Sequence, residues 1–249
     1  MTDFDARGGC VLSSLGSSEC HRERPGDSSE GPGLPGPDDK GPGCHVLPQR
    51  SWATNPKYLF LREIGGGSCL KAFLDIVIMG EEEGPHWGGT LVLDELVTLT
   101  APLRIPPNFT LAGVGMFGSG GLRVPNDLSG PAISFEPGGN AVLRDFNIET
   151  AAVSAPSAPE LRSRPVGISI EGPGPIYIDG VRVFGLSVGI QGERAIAVQL
   201  SNCSLDGNFV NIKLQDQCRH WRIRDCDIRF GWTLGVILRS SVDVLIHGC

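Results

Sequence analysis

The chain has 249 residues, is 40% hydrophobic and only 6% aromatic, carries 35 Gly and 19 Pro, and has a net charge of −7. That apolar content supports a core, and the length allows one or two domains. The acidic balance argues against non-specific nucleic-acid binding, which needs a dense cationic surface, and no apolar run is long enough to span a bilayer.

The N-terminus, MTDFDARGGC, is polar and acidic, unlike a secretory signal. Residues 1–56 read as a disordered tail. From Pro25 to Gly43, eleven of nineteen residues are Gly or Pro, so too little apolar surface is available to offset chain entropy. Residues 57–87 read as a lead-in, with a short strand at Tyr58–Leu61. Leu70, Phe73, Leu74 and Val77 then have helical spacing. The acidic run Glu81-Glu82-Glu83 opposes the helix dipole at a C-terminus, so the helix should stop before it. A helix here suits the cap of a solenoid's open end.

From Gly88 the texture changes to short β runs divided by Gly, Pro and Asn. They are Thr90–Leu93, Val97–Leu99, Leu103–Ile105, Phe109–Leu111, Leu122–Val124, Ala132–Phe135, Ala141–Arg144 and Asp145–Ile148. Thr150–Pro165 is an Ala/Ser/Pro insertion, read as a loop of the kind that lines a solenoid's binding face.

After it the chain repeats. Val181, Cys203, Cys226 and Cys249 recur at spacings of 22, 23 and 23, and Ile168, Ile190, Ile212 and Val236 at 22, 22 and 24. A fixed period enclosing short strands is the signature of a solenoid. Phe146 joins the frame, 35 residues before Val181, one period plus the insertion. Each unit holds three strands and three bends. Alternation in HWRIRDCDIRF turns Ile223, Cys226 and Ile228 inward and Arg222, Arg224, Asp227 and Arg229 outward. Cys203, Cys226 and Cys249 then form an internal ladder of parallel thiols, which act as small apolar fillers because they do not point at one another as a disulfide requires.

GGTLVLDELVTLTAPLRIPPNFTLAGVG, from Gly88 to Gly115, resembles the opening coil of the pectate-lyase-like superfamily of right-handed parallel β-helices. So do the pairs Asp145-Phe146, Gly180-Val181, Asn202-Cys203 and Asp225-Cys226. The resemblance spans Gly88–Cys249 and implies an all-β, right-handed parallel β-helix of six or seven coils of about 22 residues. It is specific for fold and weak for activity, since the superfamily holds lyases, hydrolases, epimerases, tailspikes and non-enzymatic binders. The Asn-Thr-Asp, Asp-Asp and Arg-x-Lys elements of polygalacturonases are missing from suitable positions, leaving only His247-Gly248.

Two outer faces carry candidate chemistry. On the first strand of each unit, Ser134, Ser169, Gln191, Lys213 and Ile237 face outward, followed at the bend by Glu136, Glu171, Glu193, Gln215 and Arg239. Stacked Glu residues repel unless a cation or an Arg joins them. Lyases of this fold bind Ca²⁺ beside the substrate carboxylate and use Arg or Lys as base. The resemblance therefore implies Glu171 and Glu193 as Ca²⁺ ligands, Lys213 or Arg239 as the catalytic base, and Gln191 as a substrate contact; the alternative is a solvated face. The second surface combines Arg222, Arg224 and Arg229 with Trp221 and Trp232, of which Arg222, Arg224 and Trp232 are assigned to substrate binding. Its alternative is sheet charge that blocks edge aggregation.

Other motifs carry less. Gly113-x-Gly115-x-x-Gly118 runs into a loop rather than a helix and reads as a coil corner. The cysteines form no CxxC pair that would hold zinc. Asn108 and Asn202 lie in glycosylation sequons, which matter only in a secreted chain. The sequence stops inside a coil at Cys249, which predicts either a fragment or an end that docks on another chain. The expectation is a carbohydrate-active protein, a lyase or hydrolase of acidic glycans, with a non-catalytic glycan- or protein-binding scaffold as the alternative. No nucleic-acid or membrane partner is expected.

Overall fold

The computed structural model describes residues 58–81, 89–150 and 157–249. The tail read at 1–56 lies outside them. The described chain is a parallel β-solenoid of about 7 turns with coils of about 23 residues. Its strands line three faces, and every described pairing is parallel.

The first face holds β4 (Leu103–Ile105), β7 (Ile133–Phe135), the starts of β10 (Val166–Asp179) and β12 (Val188–Ser201), β14 (Val210–Gln215) and β17 (Leu234–Leu238). The second holds β1 (Tyr58–Phe60), β2 (Thr90–Leu93), β5 (Thr110–Gly113), β8 (Ala141–Arg144), the ends of β10 and β12, β15 (Arg219–Arg224) and β18 (Val242–His247). The third holds β3 (Leu96–Thr98), β6 (Gly121–Val124), β9 (Asn147–Thr150), β11 (Arg182–Phe184), β13 (Ser204–Asp206) and β16 (Asp227–Arg229).

The ladders of the repeat are in the expected register. Ile168, Ile190, Ile212 and Val236 are successive partners on the first face. Leu122, Ile148, Val183, Leu205 and Ile228 stack on the third, the first four fully buried. Burial of these aliphatic columns is the main favourable term, at about 25 cal/mol per Å² of apolar surface removed from water.

The Asn/Asp/Gly signature has a backbone cause. Asp145, Gly180, Asn202, Asp225 and Gly248 all stand at the corner between the second and third faces with φ between 52° and 66°. This left-handed turn penalises most L residues but suits Gly, Asn and Asp. It swings the next residue inward: Phe146, Val181, Cys203 and Cys226 are all buried. The three thiols, Cys203, Cys226 and Cys249, are free, as the parallel ladder required. The Cys226 thiol and burial together push the Cys203 pKa up, so Cys203 stays a neutral filler.

At the corner between the third and first faces, Gly185 and Gly207 are left-handed, but the next coil places Phe230 there with φ 47° and its ring 76% exposed. A non-Gly residue in this region costs about 1–2 kcal/mol. Phe230→Gly should therefore stabilise the protein by roughly 1 kcal/mol, less the entropy that Gly adds to the unfolded chain. A lower urea midpoint for the variant would refute this strain.

The helix α1 (Leu70–Glu81) follows β1 through two 3-10 turns and buries Leu70, Phe73, Leu74 and Val77, the stripe its spacing predicts. It runs into the first Glu of the acidic run instead of stopping before it. The insertion is not purely a loop. Ser157–Glu160 forms a capping box, with Glu160 Oε2 accepting from the Ser157 backbone N–H at 2.6 Å, and opens a second helix, α2 (Ala158–Ser163).

Candidate functional site

The first face aligns the predicted residues. Ser169, Gln191, Lys213 and Ile237 are successive partners, as are Glu171, Glu193 and Gln215. The cation joining the glutamates is Arg194, at 2.5 Å from Glu171 and 3.3 Å from Glu193. The hydrogen bond that Arg194 donates to Glu171, then the charge of Glu193, raise the Arg194 pKa further. Gln215 also donates to Glu193 at 3.5 Å, and Glu136 pairs with Arg104 one coil below. Arg194 was not among the residues singled out from sequence; it lies at a left-handed bend (φ 52°) within β12, where residue pattern says little. No cluster of three or more potential metal ligands occurs among the described residues. Among the described residues Lys213 makes no ion pair, and exposed Arg239 makes none either.

The second face brings together a different set. Tyr177, Gln199, Arg222 and Leu245 form one outward column, and Asp179, Ser201, Arg224 and His247 the next. A shallow depression of about 210 Å³ is lined by Gln199, Arg222, Ile223, Arg224, Leu245 and His247. Arg222 and Arg224 alternate with the buried Trp221 and Ile223, as the strand period dictates. Tyr177 is 43% exposed, giving the face an aromatic edge.

The two arginines have different situations. Arg222 is clamped: Nη1 donates to Asp243 Oδ1 at 3.0 Å and Nη2 to Asp243 Oδ2 at 3.2 Å, and Nη1 also reaches the backbone oxygens of Trp221 and Asp243. His220 Nδ1 lies 2.6 Å from the same carboxylate. Arg224 makes no ion pair among the described residues and is exposed. It is the free cation of the depression, while Arg222 is a rigid wall.

Arg222 first, and His220 second, hold the Asp243 carboxyl below its usual range. A depressed folded-state pKa contributes stability above the unfolded value, about 3.9, which is lost as pH falls through the lower folded value. The melting-temperature advantage of the wild type over Asp243→Asn should therefore be full above about pH 4 and shrink on acidification below it. A difference unchanged down to strongly acidic pH would exclude this linkage.

Two aromatic assignments change. Trp221 is fully buried, its Nε1 donating to the Ala195 carbonyl at 3.1 Å, so it belongs to the core and not to a sugar-binding surface. Trp232 is 53% exposed but sits between β16 and β17 and does not line the depression with Arg222 and Arg224. Its exposure follows from its place in a turn; strand alternation could not have placed it on the second face. Gln199, Tyr177 and His220 were missed, although Gln199 and Tyr177 could have been found by extending the Arg222 column back through the repeat.

Charge is distributed unevenly. From 58 to 209 there are nine basic and sixteen acidic residues, while 210–249 carry six basic and four acidic ones. The last coils are thus the cationic part of an acidic chain. No family model, no curated protein and no solved structure matches the chain.

Proposed function

We propose that the chain binds acidic polysaccharide through the second face of its last coils, and that it is a member of the pectate-lyase-like superfamily. The observation carrying the binding reading is the depression lined by Gln199, Arg222, Arg224 and His247, in the last coils, where residues 210–249 hold six basic and four acidic residues. A parallel sheet repeats every 4.8 Å or so along the solenoid axis, giving an extended polymer a flat, periodic track. Arg224 offers a guanidinium to a uronate carboxylate, Arg222 fixes the wall, and Tyr177 supplies a ring for a sugar to stack on. Family membership is supported by the GGT opening coil and the left-handed Asn/Asp/Gly corner column, which a three-faced solenoid accounts for.

The test is affinity electrophoresis of the folded chain in gels containing polygalacturonate or alginate, with dextran as the neutral control. Retardation by the acidic polymers alone, falling with salt, is the expected result. Arg224→Glu should weaken it at least about tenfold, in line with loss of a charge-assisted contact. Equal mobility in all three gels would refute the proposal.

A second reading is favoured by one observation on the first face: among the described residues Lys213 and Arg239 have no carboxylate partner beside the Glu171–Arg194–Glu193 group. There the chain is a polysaccharide lyase: Lys213 or Arg239, in its neutral form, takes the proton alpha to a uronate carboxylate, with Gln191 contacting substrate. The bond from the β carbon to the glycosidic oxygen breaks to leave a C=C double bond, and the departing sugar oxygen takes a proton from solvent. In this reading Glu171 and Glu193 supply the oxygens a Ca²⁺ ion favours, on release from Arg194. Ultraviolet absorbance of an unsaturated product, requiring Ca²⁺ and lost in Lys213→Ala or Arg239→Ala, would establish it. Binding without product would leave the second-face reading alone.

A further inference from the structure

Arg164 is a buried cation without a counter-ion. It follows α2, is only 8% exposed, and its Nη1 donates to the Gly185 carbonyl at 2.8 Å. Its guanidinium makes no ion pair and no other hydrogen bond among the described residues, while its backbone N–H donates to the Leu161 carbonyl at 3.2 Å. The nearest acid of its own helix, Glu160, is committed to the helix start, its Oε2 accepting from both Ser157 N and Ser157 Oγ. The adjoining insertion, Ala151 to Pro156, contains no acidic residue. A desolvated guanidinium is costly unless paired, and its planar fork matches an oxyanion. Burial accordingly lowers the Arg164 pKa, opposed only by distant Glu160.

The surroundings pack closely against it. Gly185 has φ 75°, and a Cβ there would come within 2.6 Å of Thr150 Cγ2 and 3.5 Å of Arg164 Nη1. Ser187 Oγ donates to the Pro165 carbonyl, fixing the chain just after Arg164. The arginine is therefore held by packing, with donors left over. It stands at the corner between the third and first faces, apart from the second-face depression.

We propose that Arg164 is the centre of a binding site for a compact oxyanion: a sulfate, a phosphate or a carboxylate. The site is independent of polysaccharide binding on the second face. It takes either a free anion or the substituent of a larger ligand, and the guanidinium supplies a bidentate contact in a largely desolvated setting.

Thermal unfolding of the full chain, followed by circular dichroism at constant ionic strength, tests it with sodium sulfate, phosphate and acetate against chloride. One or more oxyanions should raise the midpoint saturably, by about 5–10 °C at a hundredfold excess over Kd. Which salt acts at the lowest concentration identifies the anion class. Arg164→Gln should abolish the saturable rise, leaving wild-type behaviour in chloride-only buffer as the baseline. Should that variant not fold, wild-type protein is treated with phenylglyoxal and the Arg164 peptide is quantified; the anion should slow its modification by tenfold or more. A rise that climbs linearly without saturation, or persists in Arg164→Gln, or modification indifferent to the anion, would overturn the site.

Discussion

Trp221→Ala should lower the stability of the protein by about 3–5 kcal/mol, the cost of emptying a large buried aromatic site. The indole is fully buried, and its N–H donates to the Ala195 carbonyl. The space around it is made by Gly192: a Cβ there would lie 2.5 Å from the ring. The backbone between the first and second faces has therefore closed onto the ring, and removal leaves a cavity plus an orphaned carbonyl. In a solenoid each coil rests only on its neighbours, so the damage should be local. Amide exchange should accelerate across 198–249 while β2, β5 and β8 stay protected. Unchanged exchange in those last coils, or a urea midpoint equal to wild type, would show that the ring is not a core element. Trp221→Phe should recover about half the loss, since it keeps the larger part of the apolar volume but not the donor.

Asn208→Leu should cost roughly 3–6 kcal/mol even though the two side chains are of similar size. Asn208 is fully buried at the corner between the third and first faces, and every polar atom of its amide is used. Oδ1 accepts from Leu186 N at 3.0 Å, and Nδ2 donates to the Val183 carbonyl at 3.0 Å and to Asn211 Oδ1 at 2.9 Å. Asn211 in turn donates to the Arg229 carbonyl at 2.9 Å, linking three successive coils. Leucine strands a backbone N–H, a backbone carbonyl and the Asn211 oxygen, each costing about 1–3 kcal/mol when buried unpaired. Asn208→Asp should also be severe, because it removes both donors and places a charge in the core. Chemical denaturation measures both. A loss under about 1 kcal/mol would mean that the corner is hydrated and the network carries little.

These expectations differ in how far they could be read in advance. The period, the inward ladder, the free thiols and the corner column were legible because each follows from backbone geometry repeated coil by coil. A left-handed corner admits few residue types, and a pleated strand alternates its sides, so both leave a pattern in the text. Asn208 and Trp221 are harder. Asn208 follows Gly207 and reads as an ordinary turn residue, and Trp221 was grouped with two arginines although its alternation with Ile223 turns it inward. Only the closing of the coil shows that each points into a space lined by carbonyls and glycine.

The candidate surfaces show the same division. Register alone aligned Gln191 with Lys213 and Glu171 with Glu193, and the structure keeps those columns. It could not show that Arg194 bridges the two glutamates, that Asp243 occupies Arg222 and leaves Arg224 free, or that Trp232 lies away from both arginines. Nor could the pattern reveal that the insertion contains a helix ending in a buried Arg164, although the Ser157–Glu160 capping box was present in the text. What the sequence by itself determined is the repeating architecture, because period, alternation and corner chemistry are properties of neighbouring residues. What only the tertiary structure decided is which charges are neutralised and which remain available, because an ion pair or a desolvated cation depends on side chains from different coils meeting within a few ångströms.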